Sequence, residues 1–361
     1  MKTLLITLEY PPFNGGVSNY YANLVKYWPF NEGIEVLTNR HNKLISNRRF
    51  FPWFRAVYAL VDKKRHFSFN YVLVGQILPL GIVVWLVSFI IPFKYAVILH
   101  GLDFSSTLVL PRKRFITSLI LKRADKIICA NSKVKEMVVE FNYKLEDKIA
   151  IVNPGVEGAS VYNNENDIKA LKVKHNLNDT FVLFTLGRLT LRKGADFVIK
   201  AMSSEEFKSK KIKYFIAGKG KEEKYLKSLA SASSASNSIF FLGELSEKEK
   251  WNWLNICDIF IMPAREIGPD FEGFGIVYLE ANLAKKAVIA GKSGGVADAV
   301  VDGENGLLIN PNNVVDIRES ILRLMDDKDL LQKLGERGRE RALKKFNWER
   351  QILSLSNFIK Q

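Results

Sequence analysis

Cysteine and histidine are scarce in this chain: two and four among 361 residues. Cys129 and Cys257 stand in apolar runs, IICAN and NICDIF, where buried, reduced thiols are expected. Two such cysteines make neither a disulfide framework nor a zinc-ligand spacing, which favours a cytosolic compartment. The opening stretch is not expected to be a signal peptide. Glu9 interrupts the opening apolar stretch of MKTLLITLEYPP and no small-residue cleavage site follows, so the segment reads as a first β-strand. An unbroken membrane-length run is missing too. Residues 71–99 are long enough to span a bilayer, but Gln76, Pro79, Gly81, Pro92 and Lys94 divide them into strand 71–74, buried helix 79–91 and strand 95–99. Acidic charge is in deficit, with 38 Asp and Glu against 53 Lys and Arg, a net +15. That balance attracts nucleic acid, acidic lipid or phosphorylated substrates without choosing among them. At 47% hydrophobic and 25% charged residues the composition is globular, and the length suggests two domains.

Short apolar runs rich in β-branched residues alternate with helical patterns. TLLITLE, IEVLT, YVLVG, YAVIL, KIICA and KIAIV form a first series; FVLFTLG, KYFIAG, SIFFLG, DIFIMP and KAVIA form a second. Such strands are buried on both faces and belong to parallel sheets, which makes the fold class α/β with two doubly wound domains. The polar, turn-rich stretch NPGVEGASVYNNENDIK separates the series. The domains are placed at 1–155 and 156–345, with 346–361 as a closing helix in which Trp348, Ile352 and Leu355 have helical spacing. Ligands of such sheets bind at the carboxyl ends of strands, so chemistry is sought there.

The first strand ends in EYPPFNGGVSNYYANL, where Gly15 and Gly16 precede a helix starting near Val17. Paired glycines permit unusual backbone angles and close ligand approach, and a helix N-terminus suits a phosphate. An ordinary glycine turn has the same signature, and no G-x-G-x-x-G fingerprint is present. The fourth strand ends in ILHGLD, where His100 suits either a reactive group or a core histidine bonded to backbone, and Asp103 either orients it or caps the next helix, the cap being preferred. The seventh ends in TLGRLTLRKG, where Arg188, Arg192 and Lys193 could clamp a diphosphate; Arg188 and Lys193 are the candidates. AGKSGG contains GKS, but Lys286 stands where a phosphate-binding loop needs its first glycine. Residues 41–67 mix bases with aromatics and suit an acidic membrane surface, a solvated face or single-stranded nucleic acid.

In EGFGIVYLE, Glu272 and Glu280 bracket seven uncharged residues. On one helix they would stand roughly 12 Å and 80° apart, too poorly matched to act as a facing acid–base pair. Gly273 and Gly275 place the helix start between them. Glu272 then lies on the entering loop, Glu280 on the helix, and the N–H groups of Phe274, Gly275 and Ile276 form an anion cradle. Carboxylates at its two ends suit hydroxyls of a sugar or ribose.

Together PPFNGGVSNY, LHGLD, NPGVE, GRLTLRKG, AGKGKEEKYL, EGFGIVYLEA and the closing FNWE helix resemble the family-four retaining glycosyltransferases of the GT-B fold. The resemblance spans nearly the whole chain. GRLTLRKG and EGFGIVYLEANLAKK look most like the mannosyltransferases that build phosphatidylinositol mannosides. The resemblance implies two Rossmann-like domains facing across a cleft, with the last helix returning to the first. It implies that Arg188 and Lys193 neutralise the donor diphosphate, that Glu272 holds the transferred sugar and that Glu280 holds the ribose. Phe274, Gly275 and Ile276 line the donor, Gly15 and Gly16 face the diphosphate, and His100 lies beside the sugar. The donor is then a nucleoside-diphosphate sugar, GDP-mannose ahead of UDP-sugars, and the acceptor a glycan or lipid-linked intermediate. No metal and no cofactor are expected, nor nucleic acid as a partner. The expected location is cytoplasmic, peripheral at the inner face of a membrane through 41–67. A sugar phosphorylase, a nucleotide-sugar epimerase and a basic nucleic-acid-binding protein are the alternatives. Ala264, where the family often has serine, is a departure in the donor loop.

Overall fold

The structure is a computed structural model that describes every residue except 14, 30–32, 46–51, 159 and 160. Two compact units make up the chain: Met1–Gly155 with Trp348–Gln361, and Val156–Asn347.

The first unit is a six-stranded parallel sheet of β1 (Thr3–Thr7), β2 (Ile34–Thr38), β3 (Tyr71–Val74), β4 (Lys94–Leu99), β5 (Lys126–Cys129) and β6 (Ile149–Ile151). Their order across the sheet is β2-β1-β3-β4-β5-β6, so the direction of winding reverses between β1 and β3. Side chains alternate between the two faces. Leu5, Leu73, Ala96, Ile98 and Ile128 share a core with Tyr20, Tyr21 and Trp28, while Leu4, Ile6, Val72, Val74 and Val97 are equally buried. Helix Trp348–Lys360 closes the first of these cores with Trp348, Ile352, Leu355 and Ile359. The apolar stretch at 71–99 resolves into β3, helix Leu80–Val87 and β4. Among the described residues, no helix is long and apolar enough to cross a membrane.

The second unit repeats the plan with β7 (Phe181–Leu186), β8 (Ile212–Ala217), β9 (Ile239–Gly243), β10 (Ile259–Met262), β11 (Ala287–Gly291) and β12 (Gly306–Ile309). The order β9-β8-β7-β10-β11-β12 is that of a dinucleotide-binding sheet, with its reversal between β7 and β10. Phe184, Phe215, Phe260 and Val288 pack one face with Trp251 and Tyr278; Leu183, Ile216, Ile261 and Ile289 pack the other with Val198 and Ile199. Helix Glu247–Ile256 starts at a capping box in which Ser246 and Glu249 satisfy each other's backbone N–H groups. β12, the short GLLI, was not among the strands expected from the sequence. The two cysteines are free and buried. Burial pushes the Cys257 thiol up to about 12, so neither titrates as a reactive thiolate at neutral pH.

Candidate active site

In the second unit, the loops that leave β7 and β10 meet where the winding reverses. The β7 loop, Gly187–Gly194, ends in a 3-10 turn, Leu191–Lys193. Gly194 follows at φ 78°, and a Cβ there would run into the Pro263 carbonyl, so only glycine lets the two loops approach. The contact is pinned by the Arg265 N–H, which donates to the Arg192 carbonyl at 2.8 Å.

Glu272 is the meeting point. Its Oε2 accepts from Arg192 Nη1 at 2.5 Å and from Lys193 Nζ at 2.6 Å. Arg192 also lies 3.1 Å from Asp270 Oδ1. Arg192 and Glu272 are buried, each about 8% exposed. Burial pushes the Glu272 carboxyl up, but Lys193 and Arg192 more than offset this and hold it below its ordinary value, so it is ionised at neutral pH. Behind it, Arg265 makes a bidentate pair with Asp196, both bonds 2.8 Å, and lies over the Phe197 ring. Ala264 is fully buried and carries no side-chain hydroxyl into this loop.

Arg188 stands apart from this cluster. It is exposed, and its guanidinium has no ion-pair partner among the described residues. Arg192, passed over in the sequence, is the arginine that holds Glu272. The sequence placed it in the right loop, but only the fold shows which of two arginines turns inward.

After Glu272 the chain reaches helix Ile276–Leu283, with Gly275 at its N-cap, φ 78°. A Cβ on Gly275 would meet the ring of Tyr278, whose hydroxyl donates to the Met262 carbonyl at 2.7 Å. The helix start is thereby locked against the end of β10. Phe274 is buried against Phe346, with ring centroids 5.5 Å apart, so its contribution to any ligand is through its backbone. Glu280 has a partner set of its own. Its Oε1 accepts from Lys250 Nζ at 2.7 Å, and Lys250 is also 2.6 Å from Glu247. Lys250 lies on a different helix and was not flagged from the sequence. The two glutamates therefore do not share cations.

In the first unit, His100 follows β4. Its Nε2 is 2.9 Å from the Tyr21 hydroxyl, and that hydroxyl donates to the Gly75 carbonyl at 2.5 Å. Burial lowers the imidazole to about 4, so it is neutral at pH 7. Asp103 does not touch the ring. Its Oδ1 accepts from the N–H groups of His100 and Gly101 at 3.0 and 2.8 Å, tying the strand end to helix Leu102–Leu108. Burial raises the Asp103 carboxyl to about 6 against these hydrogen bonds. Gly15 and Gly16 head helix Gly16–Lys26. Gly15 is extended at φ 168°, a conformation open to any residue, so unusual backbone angles are not what this pair supplies. Space is: a Cβ on Gly16 would meet nothing within 4 Å.

Of residues 41–67, positions 46–51 lie outside the described residues. In the rest, Lys63 pairs with Glu35, Lys64 donates to the Phe69 carbonyl and Arg55 donates to the Asn42 carbonyl. Phe54 and Tyr58 are exposed. Among the described residues, no three His, Cys, Asp or Glu side chains converge as metal ligands.

Residues 167–341 match the family model described as glycosyl transferases group 1. An uncharacterised glycosyltransferase of Methanocaldococcus jannaschii is 29% identical over 98% of this chain and 97% of its own. A Corynebacterium glutamicum relative is 36% identical, over 54% of this chain and 51% of its own. It is the GDP-mannose-dependent monoacylated alpha-(1-6)-phosphatidylinositol monomannoside mannosyltransferase. The match thus spans about half the length of that relative. Among solved structures, Anabaena HepE in complex with UDP and glucose superposes with a TM-score of 0.81 at 18% identity, covering 100% of this chain and 99% of its own. The chain is therefore a glycosyltransferase built on the GT-B fold, and its residues 167–341 are similar to the group 1 glycosyl transferases.

Proposed function

We propose that the protein is a retaining hexosyltransferase that moves a hexose, mannose favoured, from a nucleoside-diphosphate sugar to a glycan or lipid-linked acceptor without a metal. The observation that carries this reading is the Glu272 cluster at the reversal point of the second sheet, where Arg192 and Lys193 hold one carboxylate. A leaving diphosphate builds negative charge as the anomeric bond breaks, and fixed cations stabilise that charge. Lys193 and the exposed Arg188 take this role, and the N–H groups at Phe274, Gly275 and Ile276 add to it. Glu272 accepts from sugar hydroxyls while Arg192 keeps it oriented and ionised. Glu280 accepts from the ribose. His100, neutral, serves as a polar contact beside the sugar, and Gly15 and Gly16 leave room for the diphosphate. With no side chain assigned as nucleophile, the acceptor attacks on the face the leaving group vacates, and the departing phosphate takes its proton.

GDP-mannose is preferred over UDP-sugars because the mannosyltransferase relative shares 36% identity over 54% of this chain. A membrane-surface acceptor and a peripheral location fit the net charge of +15. A thermal-melting panel of nucleoside diphosphates and nucleotide sugars tests the donor. Stabilisation by GDP and not by UDP is expected, and no response to any nucleotide would overturn the reading.

A further inference from the structure

One turn of the first unit sets cations against the dipole of the helix it opens, whose first residue, Pro111, is otherwise a favoured start. Residues 109–115, VLPRKRF, run from the end of helix Leu102–Leu108 into helix Pro111–Arg123, and all seven are exposed. Val109 is 68%, Leu110 51% and Phe115 66% exposed. Arg112, Lys113 and Arg114 occupy the first turn of the second helix, which has no acidic residue there and no side-chain cap from Leu110. The dipole of a helix disfavours cations at this end, and local stability would call for Ser, Asp or Glu. No Asp or Glu stands between Asp103 and Asp125. Arg112 and Lys113 have no ion-pair partner among the described residues, and Arg114 lies 5.3 Å over the ring of Phe141. The described cations of 41–67, by contrast, are largely engaged within the unit.

Large apolar side chains beside unpaired cations are the composition of an interfacial membrane contact, in which aromatic and aliphatic groups enter the headgroup boundary while Lys and Arg meet lipid phosphates. A helix start that sets cations against the dipole, with only Arg114 of the three engaged by a described residue, marks a surface kept for a partner. The charge identifies that partner as anionic.

We propose that Val109, Leu110 and Phe115, with Arg112, Lys113 and Arg114, dock the protein on an anionic lipid bilayer. The docking stands on this turn alone. Its use for catalysis rests on the reading of a lipid-linked acceptor: helix Leu102–Leu108, seven residues and about 10 Å long, joins the turn to His100, so docking would set the sugar-facing histidine close to the bilayer surface.

The test is sedimentation of the full chain with vesicles of phosphatidylcholine alone and of phosphatidylcholine with phosphatidylglycerol. The protein is expected to sediment with the acidic vesicles and to be released by salt. Combining Arg112→Gln, Lys113→Gln and Arg114→Gln should weaken partitioning on the order of a hundredfold. Combining Val109→Ser, Leu110→Ser and Phe115→Ser should weaken it roughly tenfold or more. Neither variant should melt below the parent, since the replaced side chains are exposed and the three cations oppose the helix dipole. A parent that stays in the supernatant, or variants that sediment as the parent does, overturn the proposal. So does a dimer in sedimentation velocity that the apolar variant dissolves, for then a second copy covers the turn. Nucleotide melting on the same preparation separates the two readings. A nucleotide response without vesicle binding sinks the docking alone; vesicle binding without a nucleotide response supports docking and sinks the donor assignment.

Discussion

The Tyr21 hydroxyl sits between His100 Nε2, at 2.9 Å, and the Gly75 carbonyl, at 2.5 Å. A carbonyl can only accept, so the single hydroxyl proton goes to Gly75, and the imidazole must donate from Nε2. His100 is thereby held as the neutral tautomer protonated at Nε2, with Nδ1 left as an acceptor. Tyr21 is expected to position the ring, so Tyr21→Phe should release the tautomer. One neutral hydrogen bond is worth about 1 kcal/mol, so kcat should fall roughly fivefold with KM little changed. Nitrogen-15 shifts of the imidazole provide the independent readout. A ring that keeps its Nε2 proton in the variant would show that Tyr21 does not set it.

His100 and Asp103 make opposite contributions to acid stability. The folded imidazole titrates at about 4 rather than 6.5, so between these values the unfolded chain binds the extra proton. Stability from this group is present above 6.5 and lost as pH falls toward 4. The Asp103 carboxyl titrates at about 6 rather than 3.8, so there the folded chain binds the extra proton and stability falls as pH rises. Urea unfolding across this range should give a wild-type-minus-variant difference that rises with pH for His100→Asn and falls for Asp103→Asn. Parallel profiles for both variants would refute the assignment.

Glu272 should be sensitive to charge more than to shape. Glu272→Gln keeps the volume but leaves Arg192 and Lys193 without their shared carboxylate. Transfer should drop on the order of a hundredfold or more, and Lys193→Ala should do the same through lost diphosphate stabilisation. Wild-type transfer rates in both variants would remove these residues from the site.

Lys250 is expected to act through Glu280. With Lys250→Met, Glu280 loses the cation 2.7 Å from its carboxylate. If that carboxylate grips the ribose, KM for the nucleotide sugar should rise roughly tenfold while kcat holds, the pattern of lost uniform binding. Discrimination against 2′- and 3′-deoxynucleotides should shrink in competition assays. Unchanged discrimination would assign Lys250 to packing alone.

Arg265 and Asp196 are a structural pair. Both side chains are below 10% exposed, and their bonds are bidentate. Asp196→Ala should cost about 3–5 kcal/mol in denaturant unfolding, because it strands a buried guanidinium. Adding Arg265→Met should recover much of that loss. A double variant no more stable than the single one would show that the pair does more than neutralise itself.

Most strands were legible because a parallel strand buried on both faces reads as an unbroken apolar run, as FVLFTL and IFIM do. GLLI was not, since four residues behind the turn-rich VDGEN carry too little signal to separate strand from loop. The helix start at Gly275 was legible from the glycines of EGFG, along a single segment. Arg192 over Arg188, Lys250 beside Glu280 and Tyr21 beneath His100 were not. Each depends on which side chain turns inward, or on residues dozens of positions apart, and local pattern carries neither. For Gly15 the position was read but the reason was not, because an extended φ of 168° asks nothing of glycine.

The return of Trp348–Gln361 to the first unit has a consequence for how the protein is made. Tyr20 packs edge-on against Trp348, 5.5 Å between ring centroids, and shares a core with Ile352 and Leu355. On the ribosome that core stays uncovered while all of Val156–Asn347 is synthesised. The second unit, continuous in sequence, can complete itself first; the first unit, begun earlier, finishes last. During that interval the nascent chain presents an apolar face to chaperones, and a stall or truncation before Trp348 would leave that face permanently open.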